Sequence, residues 1–247
     1  MKNDQIKDRS MLNEIVQPLT DWYRQNKRIL PWRDQNNAYY TWVSEIMLQQ
    51  TRVEAVKPYF QRFIGELPDV QALAECPEEK LMKLWEGLGY YNRVRNMQTA
   101  ARTVVCEYEG VLPASYEELL SLKGIGNYTA GAIASIAYQI PVPAVDGNVL
   151  RVISRITEDR QDIMKQSVRR QIEENLLGIM PEETPGDFNQ ALMELGAVVC
   201  VPNGSAHCEA CPEEGAYSAK QDSACDSGRR ENCYTETTGK RSSCRII

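Results

Sequence analysis

The sequence lacks any long apolar run, and this absence excludes the simplest membrane proteins. No stretch approaches the roughly 20 apolar residues that a helix needs to cross a bilayer. The first residues, Met1–Arg9, contain no apolar core of the kind found in a secretory signal. The sequence therefore predicts a cytoplasmic protein with no membrane partner.

The chain also lacks an excess of positive charge. Its 28 Lys and Arg residues are outnumbered by 34 Asp and Glu residues, which gives a net charge of −6. This balance argues against a protein that coats nucleic acid over its whole surface. It does not exclude a localised basic groove, because only the face that touches phosphate must be positive. A length of 247 residues suits one or two compact domains.

Alternating runs typical of strands are few, and no internal repeat is present. Apolar residues instead recur at helical spacing between Gly and Pro breakers, so the fold class is predicted to be all-α. The predicted helices span residues 11–26, 40–63, 77–85, 91–108, 115–121, 128–138, 147–157, 165–178 and 186–199. From 212 to 247 polar residues dominate, and this stretch is predicted to be mostly disordered because it buries too little apolar surface.

A glycine-rich turn lies between the helices predicted at 115–121 and 128–138. In Leu122-Lys-Gly-Ile-Gly-Asn-Tyr-Thr we expect both Gly124 and Gly126 to take positive φ and to expose backbone N–H groups. The positive end of the following helix would add to these amides and form an anion site. A plain αα-hairpin with capping glycines is the alternative. The apolar residue between the glycines and the small residues after them resemble a helix-hairpin-helix DNA-binding motif.

Two carboxylates stand out. Glu45 lies in the strongest predicted helix, where helical spacing places it in one stripe with Gln49 and Arg52. Beside Trp42 its pKa would be raised by desolvation, as suits a general acid, although a solvated surface glutamate is the alternative. Asp146 precedes the helix predicted at 147–157, and there a capping role and an active-site role are both possible.

Taken together, the motifs resemble the helix-hairpin-helix DNA glycosylase superfamily, and within it the adenine-specific mismatch glycosylases of the MutY type. The resemblance covers roughly residues 12–211. Besides the hairpin, it rests on Leu30-Pro-Trp-Arg, Trp42-Val-Ser-Glu-Ile-Met-Leu-Gln-Gln-Thr, Leu84-Trp-Glu-Gly-Leu-Gly-Tyr-Tyr, Val145-Asp-Gly-Asn-Val and Asn189-Gln-Ala-Leu-Met-Glu-Leu-Gly-Ala. It implies a monomer that acts on duplex DNA containing an A:8-oxoguanine or A:G mispair.

The resemblance assigns three catalytic positions. Glu45 would protonate the adenine ring and then handle the attacking water, and Asp146 would stabilise the oxocarbenium-like sugar. Tyr128 matches a position near the catalytic glutamate, where endonuclease III relatives carry a lysine that attacks the sugar as an amine. The resemblance therefore implies base removal without efficient strand cleavage.

Further positions follow from the same resemblance. The adenine would leave the base stack to reach its pocket, with Gln50 and Tyr90 wedging into the duplex. Pocket-lining positions are Trp32, Arg33, Asn148 and Gln190. Expected DNA contacts are Gln49, Gln50, Thr51, Tyr90, Lys123, Gly124, Gly126 and Thr129. Arg93 and Arg95 would add positive charge beside Tyr90, or would form an ordinary solvated helix face.

The spacing Cys200-x7-Cys208-x2-Cys211 resembles the loop that holds a [4Fe–4S] cluster in this family, which needs four thiolates. The usual fourth cysteine would fall near Tyr217, so Cys225 is the nearest displaced candidate. Zinc and uncoordinated thiols are the alternatives.

The resemblance also implies two lobes. Residues 1–34 and 141–211 would form one helical lobe with the cysteine loop, and residues 35–140 would form a helical bundle with the hairpin. Relatives carry a further domain that reads the oxidised guanine, and its absence suggests a truncated or frameshifted product. An endonuclease III-like oxidised-pyrimidine glycosylase with lyase activity and an inactive DNA-binding remnant are the alternative functions.

Overall fold

The computed structural model describes residues 2–33, 35–202 and 206–212, with side chains from Met11 onward. This described part is helical and contains no strand, which confirms the all-α fold class. The helices are α1 (Lys2–Asn26), α2 (Ala38–Leu48), α3 (Val53–Glu66), α4 (Val70–Glu75), α5 (Glu78–Leu84), α6 (Asn92–Glu107), α7 (Tyr116–Ser121), α8 (Asn127–Tyr138), α9 (Gly147–Ile156), α10 (Gln166–Leu177) and α11 (Pro185–Val198). The tail that was predicted to be disordered lies outside the described residues from position 213 onward, so that prediction is not tested.

The chain divides into two compact units. Unit 1 comprises Met1–Lys27 and Val145–Ile247, and unit 2 comprises Arg28–Ala144. Residues up to 34 were expected in the first lobe, but Leu30 and Trp32 are buried in the core of unit 2. Burial of these apolar side chains places the segment in unit 2, although it directly follows α1 of unit 1.

The core of unit 2 is centred on the packing of α2 against α8. Helix α2 is buried on almost every side, from Tyr39 to Met47. Helix α8 presents small buried residues, Ala130, Gly131 and Ala134 among them, which let another backbone approach closely. At Gly131 an added Cβ would collide with the carbonyl oxygen of Pro143, so this position has no room for a side chain.

The single helix predicted at 40–63 is wrong. Helix α2 ends at Leu48 and α3 begins at Val53, with Gln50 in the left-handed region at φ 59°. Apolar periodicity continues across this break, which is why the sequence pattern did not reveal it. The short α4 was not predicted either. It is six residues long and follows the N-cap Asp69, whose side chain accepts the N–H of Ala72 at 2.8 Å.

Unit 1 packs α1 and α9 against α11, with α10 alongside. Apolar residues of these helices form one buried cluster that includes Leu12, Ile153, Phe188 and Leu192. Helix α11 begins with Pro185, a residue well suited to a first helical position. Among the described helices of either unit, none is long and apolar enough to span a membrane.

Candidate active site and nucleic-acid interface

Glu45 is a buried carboxylate, with only 7% of its surface exposed. It lies on α2, and the hydroxyl of Tyr128 on α8 donates a hydrogen bond to its Oε2. Since α8 begins at the glycine hairpin, the contact between these helices places the hairpin and the carboxylate in one unit. The expected stripe of Glu45, Gln49 and Arg52 does not exist, because the helix ends at Leu48.

The glycine hairpin joins α7 to α8. Gly124 has φ 81°, as expected, and an added Cβ would lie 2.8 Å from Cβ of Asn96. The expectation of positive φ at Gly126 is wrong: its φ is −99°, because it serves as the N-cap of α8. Lys123 and Gly126 are exposed. Thr129 is 2% exposed, so its side chain is not available to a phosphate; its backbone N–H lies in the first turn of the helix.

Two short turns of unit 2 carry the other expected DNA contacts. Gln50 is exposed between α2 and α3, and Thr51 Oγ1 bonds back to the carbonyl of Gln49 at 3.4 Å. Tyr90 lies in the turn before α6, with 67% of its surface exposed. Its φ is 46°, so both Gln50 and Tyr90 occupy the left-handed region that ordinary side chains avoid.

The expected pocket residues have local structural partners. The ring of Trp32 packs edge-on against Phe60, with the two centroids 5.3 Å apart. Arg33 Nη1 donates to the carbonyl of Arg28 at 2.9 Å. In unit 1, Gln190 Nε2 donates to the carbonyl of Gly186, one turn earlier on α11, at 3.3 Å.

Asp146 caps α9, which was one of its two expected roles. Its Oδ1 accepts the backbone N–H of Val149 at 2.8 Å. Its Oδ2 accepts Nδ2 of Asn148 at 2.7 Å. The carboxylate is thus held at both oxygens, and the helix N-terminus favours its negative charge.

The orientation of Asn148 depends on Arg151, a residue that sequence reasoning missed. Arg151 Nη2 donates to Asn148 Oδ1 at 3.0 Å and to the carbonyl of Gly196 at 2.8 Å. Its Nε donates to the carbonyl of Cys200 at 3.0 Å. Burial lowers the pKa of this guanidinium, partly offset by Cys200. A spacing of three residues from Asn148 on one helix was the available signal, but it did not indicate the partner on α11.

Arg155, also missed, is buried one turn further along α9. Its Nη1 donates to Sγ of Cys200 and to the carbonyl of Val201, each at 3.1 Å. Arginines that project from α9 therefore cap the end of α11. The carbonyls that accept their hydrogen bonds include those of residues that follow the helix.

The close contact between α9 and α11 leads to a prediction for Gly196. An added Cβ there would lie 2.7 Å from Cβ of Asn148. We expect Gly196→Ala to lower the free energy of unfolding by about 1–3 kcal/mol, because one backbone must move. Urea denaturation measures this. Gly65→Ala is the matched control, because a Cβ added at Gly65 on α3 would meet no atom within 4 Å. The free energy of unfolding of this variant should be unchanged or slightly higher.

The cysteine loop does not form a metal site in the described residues. Cys200 is buried, and Cys208 and Cys211 are half-buried around a short 3₁₀ turn. Within residues 2–33, 35–202 and 206–212 no group of three or more His, Cys, Asp or Glu residues is arranged to hold a metal ion. In the described part of the chain these three cysteines alone therefore do not complete a cluster site. The fourth candidate, Cys225, lies outside the described residues.

Comparison with known proteins supplies the family. A model of the HhH-GPD superfamily of base excision DNA repair proteins matches residues 43–177, which is more than half of the chain. The matched region includes the glycine hairpin, Glu45, Tyr128 and Asp146. The chain belongs to this superfamily.

Individual relatives are more specific. The adenine DNA glycosylase of Mus musculus is 44% identical over 212 residues, which cover 82% of this chain and 41% of the relative. That of Arabidopsis thaliana is 40% identical over 225 residues, covering 81% and 35%. The chain thus spans less than half the length of these relatives.

Solved structures support the helical fold. A thermostable thymine-DNA glycosylase superposes with a TM-score of 0.73 at 26% identity, covering 87% of this chain and 98% of that one. A trapped endonuclease III–DNA covalent intermediate gives 0.67 at 23% identity, covering 82% and 93%. The second likeness shows the fold alone.

Proposed function

We propose that this chain is a monofunctional DNA glycosylase that removes adenine mispaired with 8-oxoguanine or guanine in duplex DNA. The observation that carries the proposal is the buried Glu45 carboxylate, bonded by the hydroxyl of Tyr128 on the helix that follows the glycine hairpin. The likeness to adenine DNA glycosylases over 82% of the chain supports the choice of base.

The proposed reaction is hydrolysis of the N-glycosidic bond. Glu45 gives a proton to the adenine ring, the bond between the base and the sugar C1′ breaks, and the electron pair leaves with adenine. Asp146 stabilises the positive charge that develops on the sugar. Glu45 then takes a proton from the attacking water, whose oxygen bonds to C1′. Burial of Glu45 supports its role, since it limits competing proton transfer with solvent.

A phenol at position 128 is the basis for the monofunctional assignment. Strand cleavage through a Schiff base needs an amine that attacks C1′. Tyr128 instead presents a hydroxyl that donates to Glu45. Base release without a covalent intermediate follows.

DNA binding is proposed to use the exposed turns of unit 2. The amides at the start of α8, with Lys123, Gly124, Gly126 and Thr129, hold a phosphate without reading sequence. Gln49, Gln50, Thr51 and Tyr90 contact the duplex where the adenine leaves the stack, and Trp32, Arg33, Asn148 and Gln190 line its pocket. The chain is proposed to act as a monomer.

The test is a single-turnover assay on a duplex with one A:8-oxoguanine pair. We expect alkali-labile sites at the adenine and no strand break without alkali. Borohydride should trap no covalent adduct. Trapping would favour the endonuclease III-like alternative, and a protein that binds the duplex without releasing adenine would favour an inactive DNA-binding remnant.

A [4Fe–4S] cluster on Cys200, Cys208, Cys211 and Cys225 is proposed from cysteine spacing alone, since the described residues do not gather the first three. Anaerobically purified protein would then be brown, absorb near 400 nm and contain about four irons per chain. Colourless protein with stoichiometric zinc, or with neither metal, contradicts this.

A further inference from the structure

The two exposed residues assigned to wedge into DNA, Gln50 and Tyr90, occupy a backbone conformation that is costly for non-glycine residues. Gln50 has φ 59° and Tyr90 has φ 46°. The Tyr90 turn also contains Gly87 at φ 97° and Gly89 at φ 70°, so its backbone is left-handed at three of four positions. Such conformations persist only where surrounding contacts hold them.

One side chain contacts the backbone of both turns. Arg93, in the first turn of α6, directs Nη1 to the carbonyls of Ile46 at 2.7 Å and Gln49 at 2.8 Å. Its Nη2 donates to the carbonyls of Leu88 at 2.9 Å and Gly89 at 3.2 Å. Of these acceptors, Gln49 immediately precedes Gln50 and Gly89 immediately precedes Tyr90.

Two aromatic rings lie near the guanidinium. Its central carbon lies 5.4 Å from the ring centroid of Trp85 and 5.7 Å from that of Tyr90. Desolvation lowers the pKa of Arg93, an effect partly opposed by Tyr90. Arg93 is thus half-buried beside Tyr90 and bonds protein carbonyls, so of its two expected roles the solvated helix face is wrong.

An arginine side chain can bond the carbonyls of both turns at once, whereas a lysine side chain cannot. A planar guanidinium offers five N–H donors in fixed directions, so its two terminal nitrogens reach separate loops together. A lysine ammonium carries the same charge on one atom. It cannot bond the Gln49 and Gly89 carbonyls with the same geometry.

We propose that Arg93 is a positioning residue for DNA: it couples the two wedge turns, and so presents Gln50 and Tyr90 to the duplex as one preformed unit. This rests on the proposed function, because it requires that the two side chains replace an extruded base. It assigns Arg93 no contact with DNA and no part in the chemistry.

The test separates extrusion from catalysis. In a Glu45→Gln background, the probe is a duplex with 2-aminopurine in place of the target adenine, opposite guanine. Extrusion raises 2-aminopurine fluorescence. We expect Arg93→Lys and Arg93→Met to raise the protein concentration for half-maximal fluorescence by about tenfold or more, a loss typical of several charge-assisted hydrogen bonds.

Arg95→Met is the matched control. Arg95 lies on the same helix and pairs with the exposed Glu78 at 3.0 Å. It should change the fluorescence titration by less than about threefold, as expected for an exposed ion pair. If Arg93 instead acts by its charge, Arg93→Lys will behave like the parent and Arg95→Met will show a comparable loss, and the proposal is overturned.

A double-mutant cycle distinguishes positioning from general destabilisation. In a Gln50→Ala/Tyr90→Ala background, Arg93→Lys should have little further effect, because the side chains it positions are gone. An equal loss in both backgrounds, or a melting temperature that falls enough to leave unfolded protein at the assay temperature, would overturn the proposal. If the parent itself extrudes no base, the proposed function fails instead.

Discussion

We expect Glu45→Gln to lower the single-turnover rate of adenine release by about 10²–10⁴-fold, the usual contribution of a positioned general acid. Glutamine has nearly the same shape, but it has no proton to give to the leaving base and cannot accept one from water. Burial of the position strengthens the effect, because no solvent proton donor can readily substitute at 7% exposure. Duplex affinity should remain close to that of the parent.

Tyr128→Phe is the matched control for this experiment. It keeps the ring and removes only the hydroxyl that donates to Glu45 Oε2. We expect a loss of about tenfold, as for one hydrogen bond to a charged group. Alkali-labile sites that form at the parent rate in Glu45→Gln would remove Glu45 from the reaction. A larger loss in Tyr128→Phe than in Glu45→Gln would reverse the two roles.

Features with a local cause were predictable from the sequence. Capping residues bond within three positions of themselves, so Asp146 was placed correctly at a helix start. Helical periodicity gave the fold class and most helix centres. The left-handed Gly124 followed from the need for a tight reversal, but its neighbour Gly126 has to cap α8 instead, and one glycine motif cannot show which role each member takes.

Features caused by distant partners were not predictable. The break after Leu48 is capped by Arg93, which contributes its side chain from another helix. The burial of Arg155 depends on the carbonyls and thiol that follow α11. No local pattern distinguishes these arginines from solvated ones. The roles proposed for Glu45 and Asp146 rest on family likeness. The same likeness placed Tyr128 near Glu45, and the packing of α2 on α8 brings the two side chains into contact.

Asp146→Asn should separate the two roles of Asp146, because asparagine caps helices as well as aspartate does. Its carbonyl oxygen can still accept the N–H of Val149, so the start of α9 should survive. The substitution places an amide donor opposite Nδ2 of Asn148. Arg151 opposes a flip of Asn148, since it bonds Oδ1 at 3.0 Å.

We therefore expect Asp146→Asn to cost about 1–2 kcal/mol of stability from the lost hydrogen bond, measured by urea denaturation. The rate of adenine release should fall by about 10²–10³-fold, because an amide cannot offset positive charge on the sugar. Asp146→Ala loses the cap as well, and should cost about 1 kcal/mol more while releasing adenine no faster. If the alanine variant is unstable but the asparagine variant releases adenine at the parent rate, Asp146 only caps α9, and the charge on the sugar must be balanced by another group.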